Sequence, residues 1–205
     1  MPDDLIYVVE DDAAMRRSIV FLAESVGWTV RAFASAEAFL AEAEPERGSC
    51  LILDIRMPTM SGLELQQELF RRQAAVPVVF ITGHGDVAMA VQAMKLGAQD
   101  FIEKPFKDQQ LLDAIAQAVR VTAGRKVRDR RQAEVRHLLD KLTQREREVA
   151  ALVARGLSNK LIARELDISD KTVGVHRTHV LEKLGVHSAA QLAQVLMGSE
   201  QDGGH

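Results

Sequence analysis

Leu51-Ile52-Leu53-Asp54-Ile55-Arg56-Met57-Pro58 is the stretch that decides the fold. Three large aliphatic residues run straight into an aspartate, and a proline follows four residues later. A run that is apolar at every position suits a strand buried on both faces of a parallel sheet. Asp54 then emerges at the strand's C-terminal end, where open α/β sheets hold their ligands. Pro58 has no backbone N–H and marks a loop beyond. Taken alone, the same aspartate serves equally well as the N-cap of a helix, so the neighbouring segments must decide.

Working outward, residues 5–9 form another apolar run, ending at Glu10-Asp11-Asp12. Residues 28–33 alternate like a short strand, 76–81 repeat the buried pattern up to Thr82, and 100–102 make a short strand before Lys104-Pro105. Apolar residues at helical spacing fill the intervals, as in Met15, Ile19, Leu22 and Val26. Ser35, Ser61 and Asp108 stand where helix starts are expected. Five strands alternating with five helices predict a doubly wound, five-stranded parallel sheet, flavodoxin-like in class, over residues 1–121. Residues 123–141 differ in character. They hold seven Lys/Arg and no proline, which fits a charged helical connector over 122–141 that continues the fifth helix, or equally a solvated flexible linker.

Composition bounds the function. The 47% hydrophobic content supplies real cores. A single cysteine, Cys50, forms no disulfide within the chain. No basic-then-apolar leader and no apolar run near ~18 residues is present, so a cytoplasmic protein without a membrane span is expected. The net charge of −3 conceals an asymmetry. Residues 1–121 carry 18 Asp/Glu against 11 Lys/Arg, and residues 122–205 carry 11 against 15. An acidic front and a basic back suit a metal- or phosphate-handling half joined to a nucleic-acid-binding half.

A right-handed parallel sheet brings its strand ends to one edge. Glu10, Asp11, Asp54, Thr82 and Lys104 therefore converge. Three carboxylates repel one another unless a cation joins them, and an oxygen-only ligand set selects a hard ion such as Mg²⁺. With a nucleophilic carboxylate, a hydroxyl and a lysine beside it, the set can stabilise a phosphoryl group in transfer.

The segments V-V-E-D-D, L-D-I-R-M-P, I-T-G-H-G-D and D-F-I-E-K-P-F, in this order and spacing, resemble the receiver domain of bacterial two-component response regulators. The resemblance covers residues 5–121. It implies that Asp54 accepts a phosphoryl group from the phosphohistidine of a sensor histidine kinase. Glu10, Asp11 and Asp54 would hold Mg²⁺ with the backbone carbonyl of Arg56, and Asp12 would point away. Lys104 would contact the phosphoryl oxygens and precede a cis proline. Thr82 and Phe101 would be the switch pair, the hydroxyl turning to the new phosphate and the ring moving inward. Two positions depart from the commoner pattern: Glu10 replaces an aspartate and Phe101 a tyrosine. His84 is expected to serve the loop or a partner rather than catalysis.

The C-terminal part opens at Thr143 with a Thr-x-x-Glu capping box. Four short helices follow, with a tight turn at Asp167-Ile168-Ser169, so a small all-α helix-turn-helix domain is predicted over residues 142–205. The segments L-T-Q-R-E-R-E-V, G-L-S-N-K-L-I-A-R-E-L and T-V-G-V-H-R-T-H-V-L-E-K-L resemble the LuxR-type helix-turn-helix domain. Together the two parts resemble the FixJ-like branch of response regulators. That resemblance puts the helix of residues 170–184 in the major groove. Gly174, Val175 and Thr178 would meet base edges, with Arg177 and His179 nearby. Lys160, Thr172, His176 and Lys183 would contact phosphates. Gly174 stands where many relatives place a charged residue, which removes one base reader and costs ~1 kcal/mol of helix propensity. The helix of residues 188–196 would pair two subunits on a palindromic site.

The expected function is therefore transcriptional activation, with phosphorylation at Asp54 controlling homodimerisation and sequence-specific DNA binding. A sensor histidine kinase and RNA polymerase would be the partners. A phosphohydrolase is disfavoured, because the common aspartate-nucleophile enzymes want a second acid two residues on, and Arg56 stands there. The complete acid–Asp–Thr–Lys set argues against a receiver that has lost its chemistry, and the groove-reading motif argues against an RNA-binding antiterminator.

Overall fold

The computed structural model describes residues 4–83 and 87–200. The chain divides into two compact units between Arg125 and Lys126. The first holds β1 (Leu5–Val9), α1 (Ala13–Ser25), β2 (Thr29–Phe33), α2 (Ala36–Glu42), β3 (Gly48–Asp54), α3 (Gly62–Arg71), β4 (Val78–Thr82), α4 (Val87–Lys95) and β5 (Asp100–Glu103). The strands form one parallel sheet in the order β2-β1-β3-β4-β5.

All seven residues of β3 are buried. Alternation along the strands divides the apolar residues between the two faces of the sheet. Tyr7, Val9, Leu51, Leu53 and Phe80 pack on one side, beneath Phe39, Leu65 and Leu69. Ile6, Val8, Cys50, Ile52, Val79 and Ile81 pack on the other, beneath Ile19, Leu111 and Ile115. The sheet is thus covered on both faces, as the uninterrupted run before Asp54 requires.

Local signals fix the helix starts. Ser35 accepts from the Ala38 N–H, and Ser61 and Glu64 form a reciprocal capping box. Asp108 is the first residue of α5, which runs as one helix from Asp108 to Asp140. The stretch expected as a connector over 122–141 is therefore helical through residue 140. Its first turn belongs to the first unit: Thr122 Oγ1, buried, donates to the Ser49 carbonyl at 2.9 Å, and Arg125 donates to the Ala75 carbonyl.

The second unit contains α6 (Gln144–Ala154), α7 (Asn159–Leu166), α8 (Asp170–Leu184) and α9 (Ala189–Glu200). Thr143 and Glu146 make the expected capping box, and Ser169 caps α8. Asp167 takes a left-handed conformation (φ 52°) in the turn between α7 and α8, and Gly185 takes one (φ 63°) after α8. Val149, Val153, Ile162, Val173, Val180 and Leu192 form the core of this unit.

Candidate functional site

The C-terminal ends of the strands bring the predicted residues of the first unit together. Glu10 follows β1 and is 1% exposed, Asp54 ends β3 at 6%, and Asp11 is exposed. One oxygen from each carboxylate lies within 4.8 Å of the others. Lys104, just past β5, donates to Glu10 Oε2 at 2.7 Å and sits 3.6 Å from Asp54 Oδ2. Asp54 Oδ1 is buried and has no hydrogen-bond partner among the described residues. A buried acceptor left so carries a cost of about 1–3 kcal/mol.

Burial pushes the Asp54 carboxyl up from its ordinary range, against the opposing Lys104 charge and the N–H groups of Arg56 and Ile55. Burial also raises Glu10, against its hydrogen bond from Lys104. In both, the loss of solvent outweighs the positive and hydrogen-bonding groups nearby. The donors are all oxygens, one is orphaned and three carboxylates converge, so the residues fit a hard divalent cation.

Neighbouring residues hold this geometry. Arg16 Nη1 donates to the carbonyls of Glu10 and Asp11 at 2.6 and 3.1 Å, clamping the loop that carries them. Asp12 is turned away: its Oδ1 caps α1 by accepting from the Met15 N–H at 2.7 Å. Gly62, the first residue of α3, donates to the Ile55 carbonyl at 3.0 Å. A Cβ on it would stand 2.2 Å from the Asp54 carbonyl oxygen. Sequence reasoning saw Ser61-Gly62 only as a helix start and missed this close approach.

Thr82 is fully buried at the end of β4, and its carbonyl accepts from the Lys104 N–H at 2.7 Å. Phe101 on β5 is half-buried against the core on the Tyr7 side of the sheet. The Lys104–Pro105 peptide is cis. Arg56 has an exposed side chain. His84 lies outside the described residues.

In the second unit, α8 presents Val175, Thr178 and His179 exposed, with Thr172, Gly174, His176 and Arg177 partly covered. Lys160, on α7, is exposed. Val180 and Leu184 face the core and Leu181 packs against it. Arg177 donates to Asn159 Oδ1 at 3.1 Å, a partner that sequence reasoning did not name.

Lys183 has a structural duty. Its ammonium donates to both oxygens of the buried Glu146, at 2.9 and 2.6 Å. With the N–H of Thr143 this holds the Glu146 carboxyl down at about 2. His179 Nδ1 lies 3.8 Å from the same carboxylate. Only part of Lys183's donor capacity remains for a phosphate.

Comparison with known proteins gives this arrangement its class. Residues 6–116 match the family described as "Response regulator receiver domain", and residues 140–196 match "Bacterial regulatory proteins, luxR family". The chain belongs to the response regulators that join a receiver domain to a LuxR-type DNA-binding domain, and it is a transcriptional regulator rather than a turnover enzyme. Within that class it falls with the FixJ-like proteins. It is 44% identical over 199 residues to the transcriptional regulatory protein FixJ of Rhizobium meliloti, covering 96% of this chain and 97% of that protein. It is 46% identical over 191 residues to nodulation protein W of Bradyrhizobium diazoefficiens, covering 93% and 84%. The solved structure of the response regulator StyR matches with a TM-score of 0.86 at 44% identity, covering 95% of this chain and 98% of that one.

Proposed function

We propose that Asp54 is a phosphoacceptor whose modification controls binding of α8 to operator DNA. The observation that carries this reading is the buried Oδ1 of Asp54, without a hydrogen-bond partner among the described residues, on one of three converging carboxylates and beside Lys104. In transfer from a sensor histidine kinase, the Asp54 oxygen–phosphorus bond forms as the phosphorus–nitrogen bond of the kinase's phosphohistidine breaks. Glu10, Asp11, Asp54 and the carbonyl of Arg56 are the residues that would hold Mg²⁺. A bound Mg²⁺ would neutralise charge on the transferring oxygens.

The chain's own residues do the rest. Phosphorylation adds roughly −1.5 to −2 charges and three acceptor oxygens. Lys104 would answer that charge, and the Thr82 hydroxyl would donate to one of the new phosphoryl oxygens. Phe101, half-buried on the adjacent strand, supplies a ring that can pack deeper. The loops bearing these residues are biased to a second packing, read out over α4, β5 and the start of α5. Val91 and Met94, exposed on α4, give that surface apolar contacts for a second subunit.

In the second unit, Gly174, Val175 and Thr178 meet base edges, with Arg177 and His179 beside them. Lys160, Thr172, His176 and the remaining donor of Lys183 set the register on phosphates. Met197, exposed on α9, lies on the helix assigned to subunit pairing. The phosphorylated dimer would bind a palindromic site and activate transcription through RNA polymerase, in the cytoplasm.

The test is operator affinity with and without a small phosphodonor and Mg²⁺. Binding should tighten for the wild type and stay constant for Asp54→Asn. An Asn variant that responds like the wild type refutes the switch. Gel filtration with beryllofluoride checks dimerisation separately, and an unshifted elution assigns pairing to DNA alone.

A further inference from the structure

Gly174 lies in the interior of α8, where a glycine costs about 1 kcal/mol relative to alanine. The fold gives no reason for it. Its φ is ordinary, and a Cβ there would meet only Asn159 Nδ2, at 3.9 Å. Gly174 is partly covered, and its chain neighbour Val175 is 48% exposed. Thr178, one turn on and also exposed, donates its hydroxyl to the Gly174 carbonyl at 3.1 Å. That bond engages the hydroxyl proton, and the other group on the side chain is a methyl. A missing side chain, an exposed isopropyl and a methyl thus adjoin on one face. Lys171, Arg177 and His179 surround this apolar notch with polar groups.

We infer that the notch of Gly174, Val175 and Thr178 receives the 5-methyl group of a thymine in the major groove. The inference rests on the proposed operator binding and specifies one contact within it. Among the base edges of that groove, only thymine presents a methyl, and apolar side chains are what recognise it. Glycine admits the closer approach that a short methyl contact needs. The position therefore reads shape and apolar surface instead of the hydrogen bonds a charged residue would make.

The experiment uses the full-length protein activated with beryllofluoride and Mg²⁺. Its preferred site is selected from random duplexes, and each thymine is then replaced in turn by deoxyuridine, which lacks only the methyl. One thymine in each half-site should prove sensitive, with binding about fourfold weaker for each methyl removed, the scale of one buried carbon. Val175→Ser and Gly174→Ala should each abolish that sensitivity. Gly174→Ala should at the same time melt higher than the wild type, which separates a binding defect from a folding defect. The inference is overturned if no thymine responds, or if the response persists in both variants. Failure to enrich any sequence overturns the operator reading itself, and the methyl contact with it.

Discussion

Replacing Gly62 with alanine tests how tightly α3 is seated against the phosphoacceptor. The new Cβ would stand 2.2 Å from the Asp54 carbonyl oxygen, and 3.0 Å from both its carbon and Leu53 Cγ. The first of these atoms is backbone of the fully buried β3 and cannot swing aside. The start of α3 must retreat by about 1 Å to restore ordinary contact, and the 3.0 Å bond from the Gly62 N–H to the Ile55 carbonyl stretches with it. Overpacking of this kind costs about 1–3 kcal/mol and the weakened hydrogen bond about 1 more. Alanine's better helix propensity returns at most about 1 kcal/mol. The expected net loss is about 1–3 kcal/mol, or roughly 4–12 °C in the melting temperature of the receiver. Phosphorylation should also slow, because the loop of residues 55–61 that joins Asp54 to α3 shifts with the start of the helix. Gly124→Ala is the control of opposite sign: a Cβ there meets nothing within 4 Å inside α5, so that variant should gain about 0.5–1 kcal/mol. Differential scanning calorimetry of the full chain measures both. If Gly62→Ala melts at or above the wild type, the close approach does not constrain the site.

Two further outcomes follow from ionic groups. Lys183→Met leaves the buried Glu146 without its ammonium, and should lower the stability of the DNA-binding unit at neutral pH by about 1.5–3 kcal/mol. The Glu146 carboxyl is held at about 2 in the folded state against an ordinary 4.5, so its contribution is complete above about pH 4.5 and is lost as pH falls toward 2. The gap between wild type and variant in urea unfolding should therefore narrow over that window, and a gap independent of pH would contradict the ion pair. Mg²⁺ should raise the melting temperature of the receiver, with about 2.7 kcal/mol of stabilisation at a hundredfold excess over its dissociation constant. Asp11→Asn should remove most of that gain, and an undiminished gain would take Asp11 out of the site.

The receiver was legible because its information is local. An apolar run before each strand end, and an acid, hydroxyl or lysine just after it, suffice to place Glu10, Asp11, Asp54, Thr82 and Lys104 on one edge once the strands are parallel. The capping box at Thr143 was legible because it spans only four residues, whereas at Ser61 only the helix start was read and its box with Glu64 came from the structure. The pairings between distant segments were not. Nothing local links Lys183 to Glu146, 37 positions apart, and a lysine on a DNA-facing helix reads naturally as a phosphate contact. Gln66 is similar: it is buried on α3 and donates its amide to the carbonyls of Ala93 and Leu96 at the end of α4. No periodicity announces such a bond. The continuity of α5 through residues 122–140 was half legible: a charged helix continuing the fifth helix stood beside a flexible linker, and the structure has the helix. That segment is charged on most sides, so it offers no apolar stripe to count.

The central claim is that Asp54, and no other residue, receives the phosphoryl group. Intact-mass measurement of the full chain after treatment with a small phosphodonor and Mg²⁺, followed by mapping of the modified peptide, tests it most directly. One phosphoryl group should be added, on the peptide that contains Asp54, and it should be absent from Asp54→Asn and from samples treated with chelator. A phosphoryl group on another residue, or one that persists undiminished in Asp54→Asn, would contradict the account.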